Sequence, residues 1–186
     1  MKKVLIIIAL FFVLFIGMAV GEYNALTSSK LEAETSWSTV ETYMQRRYDL
    51  IPNVVATVRK YSDHEEKVFT EIANARAKMA GAKTKEDTME ANSELSSAIS
   101  RLLMVTENYP QLKANEQYQS LINELEGTEN RLAQTRKAYN KSVLAYNKHV
   151  QTFPGNIFAN MYGFTPMEQF KAEENAKEAP KVNFDK

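Results

Sequence analysis

From Tyr23 onward the apolar residues recur in steps of three and four: Leu26, Ala33, Trp37, Val40, Met44, Ile51, Val54, Val58 and Tyr61, with Lys30 and Arg47 as polar members of the same series. This is the spacing of helices packed at shallow angles. A second series of the same kind runs Tyr118, Ile122, Leu125, Glu129, Leu132, Arg136, Tyr139, Val143, Tyr146, Val150, Phe153. It predicts a long helix from Tyr109 or Pro110 to Phe153. Two shorter helices fill the interval. Ser62 to Ala80 carries Val68, Phe69, Ile72, Ala75 and Met79 on one face, with Ser62 and Glu65 at capping-box spacing. Lys83 to Asn108 carries Leu95, Ile99, Leu102 and Leu103. Between Glu22 and Phe153 the only glycines are Gly81 and Gly127 and the only prolines Pro52 and Pro110, and alternating β-type runs are absent.

The first seam crosses Pro52 without losing phase. A proline in a helix interior removes one hydrogen bond and crowds the carbonyl four residues back, here Tyr48, at a cost of about 3 kcal/mol, part of which a kink relieves. The alternative is a new helix capped by Asp49 with Pro52 in its first turn. Helix lengths favour continuity. At about 1.5 Å per residue, a first helix from 22 to 61 rises roughly 60 Å, the shorter helices return about 28 Å and 38 Å, and the last descends about 65 Å. The expected fold is all-α, an elongated antiparallel four-helix bundle preceded by one N-terminal transmembrane helix. Its divisions are an anchor at 1–21, a bundle at 22–164 and a mobile charged tail at 165–186, with Val182 and Phe184 as docking residues.

The anchor rests on Val4 to Val20, 17 uncharged and mostly large apolar residues after Lys2 and Lys3. As a helix they span roughly 26 Å, close to a bilayer core of about 30 Å. A cleaved signal peptide is the competing reading, with Gly17 and Ala19 as small residues at the cleavage site. The two lysines place the N-terminus in the cytoplasm and the body on the extracytoplasmic side. With no cysteine, disulfides, thiolate metal sites and lipid attachment to a cysteine are excluded. Beyond the lysines, 21 basic residues are interspersed with 23 acidic ones, which argues against a nucleic-acid partner.

Catalytic patterns are missing. His64 begins "HEEK", but a zinc-protease helix needs histidine at position 68, where Val68 stands. A di-iron bundle pairs glutamate and histidine three apart, and both histidines have tyrosine there, Tyr61 and Tyr146. No phosphate-cradling loop or nucleophile elbow is present, and no cofactor or metal is expected. Two stretches exceed what a solvated bundle needs. Arg46, Arg47, Tyr48, Asp49, Pro52 and Asn53 crowd one point, either tying down backbone groups freed by the proline or forming a partner-binding notch. In "FPGNIFANMYGF", Phe153, Pro154, Phe158 and Phe164 mark a short apolar segment that caps the bundle end or lies in the membrane interface as an aromatic anchor. The one internal echo is "YNKSVLA/YNKHV", of period seven.

The strings "SWSTVETYMQRRYDLIPNVVATVRKYSDHE", "ENYPQLKANEQYQSLINELEGTENRLAQTRKAYNKSVLAYNKHVQTFPGNIFANMYGF" and "PKVNFD" resemble the LemA family of bacterial membrane proteins across nearly the whole chain. Thr27 and "TYM" depart from the family's more aliphatic or basic usage. The resemblance implies a helical bundle with one N-terminal transmembrane helix and no catalytic residues. By analogy it also implies an organising role at membranes. The expected function is a non-enzymatic, membrane-anchored interaction or scaffold protein of the bacterial cell envelope. Its partners are the membrane, unidentified proteins or further copies of itself. The alternatives are a signal-cleaved soluble binding protein and a carboxylate- or metal-dependent enzyme.

Overall fold

Residues 1–62 and 64–171 are described in this computed structural model, so the expected docking residues Val182 and Phe184 lie outside them. The chain is all-α: α1 (Lys2–Arg59), α2 (Glu66–Gly81), α3 (Lys85–Thr106), α4 (Pro110–Lys113), α5 (Glu116–Gln151) and α6 (Gly155–Tyr162). It divides into two compact units, one of residues 1–42 with 132–169, the other of residues 43–131 with Phe170 and Lys171. Both α1 and α5 contribute to each.

In the second unit four helices surround one core. Ile51, Val54 and Val58 of α1 meet Phe69, Ile72 and Ala75 of α2, Leu95, Ala98, Ile99 and Leu102 of α3, and Tyr118 and Leu125 of α5. The one-turn α4 adds Leu112. α2 and α3 form an antiparallel hairpin, bridged by Lys78 to Glu90 and Glu94 near one end and by Arg101 to Glu71 near the other. α1 passes Pro52 without a break, as the unbroken seam predicts.

In the first unit α1 and α5 pair antiparallel. Trp37 and Tyr139 pack with ring centroids 5.2 Å apart, and His149 Nε2 stands 3.1 Å from Glu22 Oε2. Leu26, Tyr146, Val150, Phe158 and Ala159 form the core there with Ala19. Two long helices, a short one and an extended segment build this unit; the helix lengths predict that the first and last long helices outrun the shorter hairpin, while the extended segment is not foreseen.

Several ends differ from expectation. The last long helix is interrupted after Lys113, because the Asn115 side chain accepts the Tyr118 N–H at 2.9 Å and caps a fresh start. The expected Ser62–Glu65 box does not form: α2 begins at Glu66 with no side-chain cap, and the Ser62 hydroxyl is buried without a partner among the described residues. The capping box belongs instead to α3, where Thr84 and Asp87 bond reciprocally. Those bonds hold the Asp87 carboxyl below its usual range. Phe153, expected on the seam, is 78% exposed, since α5 stops at Gln151 and the chain turns away.

Candidate functional site

Arg47 is the largest fully buried side chain among the described residues. It stands at a seam position of α1 and so points into the second unit between α3 and α5. Nη1 donates to Ser96 Oγ at 2.7 Å and to Glu129 Oε2 at 2.6 Å. Nη2 donates to the Asn92 carbonyl at 3.1 Å and to Asn92 Oδ1. The planar fork of guanidinium donors suits such convergence on several oxygens. Burying the charge is costly, and Arg47 Nε and Asn92 Nδ2 lack partners among the described residues. What the junction supplies is register: only one axial alignment of α1, α3 and α5 brings these groups together.

The neighbours of Arg47 also reach outward rather than to the backbone at Pro52. Arg46 bridges to Glu124 of α5 at 2.8 Å, and the Tyr48 ring lies under the Arg76 guanidinium of α2 at 4.3 Å. Asp49 accepts from Gln45 one turn back at 2.8 Å. Pro52 is half-buried, and Asn53, exposed, gives its carbonyl to the Thr57 hydroxyl. Arg46, Arg47 and Tyr48 tie α1 to α5, α3 and α2, while Asp49 and Asn53 bond within α1.

The second constellation is in the first unit, where "YN" recurs seven residues apart. Gly163, in the left-handed region at φ 76°, ends α6, and the following residues run along α5 as an extended strap. Tyr146 OH donates to the Thr165 carbonyl at 2.9 Å and Tyr139 OH to the Glu168 carbonyl at 3.0 Å. Asn147 pairs with Met167 in both directions, each bond 2.8 Å, and Gln169 donates to the Asn140 carbonyl at 2.9 Å. Seven helical residues advance about 10.5 Å and three extended ones about 10 Å, so two turns of α5 match three residues of strap. The expected tail from residue 165 therefore begins with a segment bonded to α5, and 172–186 lie outside the described residues.

Burial raises both tyrosines above their ordinary value of 10.0. A raised folded-state pKa contributes stability that is complete below the unfolded value and is lost as pH climbs through the folded one. Strap docking is therefore expected to be independent of tyrosine ionisation below pH 10 and to weaken above it. Urea unfolding followed across that range checks this, and Tyr139→Phe/Tyr146→Phe should flatten the alkaline decline.

The third feature is the end of the first unit. α6 lies on α1: Phe158 packs against Phe15 with centroids 5.9 Å apart, and Tyr162 meets Tyr23 edge-on at 5.1 Å. Phe164 follows at 6.0 Å from Tyr23, with Lys30 Nζ 6.0 Å above its ring. Pro154 is half-buried beside the fully buried Gly155, where a Cβ would collide with the His149 carbonyl. The segment through Val20 forms the one helix, among the described residues, long and apolar enough to cross a membrane. His64 is exposed, and no three acidic or histidine side chains gather among the described residues as a metal cluster would.

The sequence strings flanking Pro52 and running through α5 agree with comparisons to known proteins. Magnetosome protein MamQ of Magnetospirillum gryphiswaldense is 25% identical, over 96% of this chain and 75% of that protein. Protein LemA of Metamycoplasma hominis is 26% identical, over 89% of this chain and 78% of its own length. The LemA family model matches residues 36–184, which include the buried arginine, its partners and the strap. The chain belongs to the LemA family.

Proposed function

We propose that this protein is a single-pass, membrane-anchored scaffold without enzymatic activity, residues 1–21 forming the anchor and the helical body presenting surfaces to other proteins or to further copies of itself. The carrying observation is that α1 continues from the apolar run into the body without a break, so that the body is an extension of the span rather than a tethered domain. The flanking Lys2 and Lys3 favour a cytoplasmic N-terminus and an extracytoplasmic body. Retention of the span, rather than its removal as a signal, is supported by the partners of α6. Cutting after Ala19 would remove Phe15 from Phe158, a residue only 2% exposed. The magnetosome proteins among the relatives fit an organising role at a cellular compartment.

Crosslinking in intact membranes, followed by mass spectrometry, tests the scaffold. Reproducible adducts with one protein or with a second copy are expected, and recovery of monomer alone defeats it. Intact mass of the same material should show residues 1–19 retained.

A further inference from the structure

The outer face of α6 is unaccounted for by the packing that seats the helix. Phe158 and Ala159 are buried, and Tyr162 adds a ring against Tyr23. Ile157 and Met161 stand four apart, the spacing of one stripe on a helix, and are 53% and 56% exposed; Phe153, in the turn just before α6, is 78% exposed. An exposed apolar stripe on so short a helix carries a cost in water, of about 25 cal/mol for each Å² left uncovered.

Its position along α1 says what covers it. α6 touches α1 from Phe15 to Tyr23. Phe15 is about 8 Å inside the end of the apolar run at Val20, and Tyr23 about 5 Å beyond it. That interval straddles the boundary where hydrocarbon gives way to headgroups, a layer of roughly 5–7 Å on each side of a bilayer. Composition follows the same boundary. Tyr23, Tyr162 and Phe164 cluster there, as aromatic residues do at membrane surfaces, and the Glu22–His149 pair lies on the outward side.

We infer that α6 is a second membrane contact, lying alongside α1 across the interface with Ile157 and Met161 facing the lipid of the bilayer that α1 crosses. This rests on the anchored reading above. The contact is with lipid, and it gives the body a fixed depth, because α6 is held at once by α1, by the close approach of Gly155 to α5 and by the strap. Such interfacial helices bind through buried apolar area.

The native chain has no cysteine, so single cysteines can be introduced into the full-length protein without removing any. Leu14→Cys, Ile157→Cys, Met161→Cys and Lys141→Cys, each labelled with an environment-sensitive fluorophore, are reconstituted in phosphatidylcholine–phosphatidylglycerol vesicles. Iodide reports exposure to water, and lipids spin-labelled at shallow or deep acyl positions report depth. The expected result is deep-label quenching at Leu14 and shallow-label quenching at 157 and 161. Protection from iodide at 157 and 161 should be several-fold relative to 141. Iodide access at 157 and 161 equal to that at 141, with Leu14 in lipid, overturns the inference and leaves the anchor standing. Protection from iodide without lipid quenching also overturns it, because a protein then covers the stripe. Leu14 open to iodide overturns both.

Discussion

Arg47→Ala is expected to lower the unfolding free energy by about 3–5 kcal/mol, the range for removing one partner of a buried charged network. Four donated bonds vanish at once, leaving the Asn92 side chain and Ser96 in a space the guanidinium had filled. Glu129 is 43% exposed and regains water, which places the loss toward the lower end. Arg47→Lys should recover only part, since a single ammonium cannot serve Ser96, Glu129 and both oxygens of Asn92. The charge itself is not what the fold needs. Arg47→Met combined with Asn92→Leu replaces the polar pair by apolar volume and should cost far less than Arg47→Ala alone. Chemical denaturation of the three variants decides the matter, and equal losses for the first and last would show that the polar network itself, rather than the volume it fills, is what the fold needs.

Asn147→Ala is expected to free the strap while leaving the second unit intact. Both bonds to Met167 are lost, and the half-buried Met167 backbone must find water. A penalty of about 2 kcal/mol for two such groups corresponds to roughly thirtyfold more frequent opening. Hydrogen exchange reads it directly, because the Met167 amide is the donor to Asn147. Its exchange should accelerate by that factor while amides of α3 keep their rates. Unchanged exchange at Met167 would mean that Tyr139 and Tyr146 hold the strap without help.

The seams were legible because a core position is recognised by spacing, and Leu26, Ala33, Trp37, Val40, Met44, Ile51, Val54 and Val58 are all buried. So was passage through Pro52, since phase survives only in a continuous helix. The partners of Arg47 were half legible. Arg47 and Glu129 both interrupt a seam, and Asn92 stands three residues before Leu95, where an apolar residue would continue that face. Polar residues at three seam positions have to meet one another or go unsatisfied, which is the signal that could have paired them. Nothing in spacing reveals a tertiary hydrogen bond from a side chain to extended backbone, so the strap was invisible, although the "YN" echo recorded its two anchor points. The break after Lys113 was missed for a related reason: an asparagine cap costs the seam no phase when the chain resumes in register.

One helix joining the apolar run to the body has a rotational consequence. Each residue of α1 turns the helix by about 100°, so the direction the body faces about the membrane normal dictates which residues of the run face neighbouring proteins. Ala19 and Phe15, already committed to α6, fix one side of the cylinder. The opposite side is then the one available to another span, and a single residue inserted near Glu22 would swing it by more than a right angle. On the anchored reading proposed above, the azimuth of the apolar run is set by the fold together with its depth.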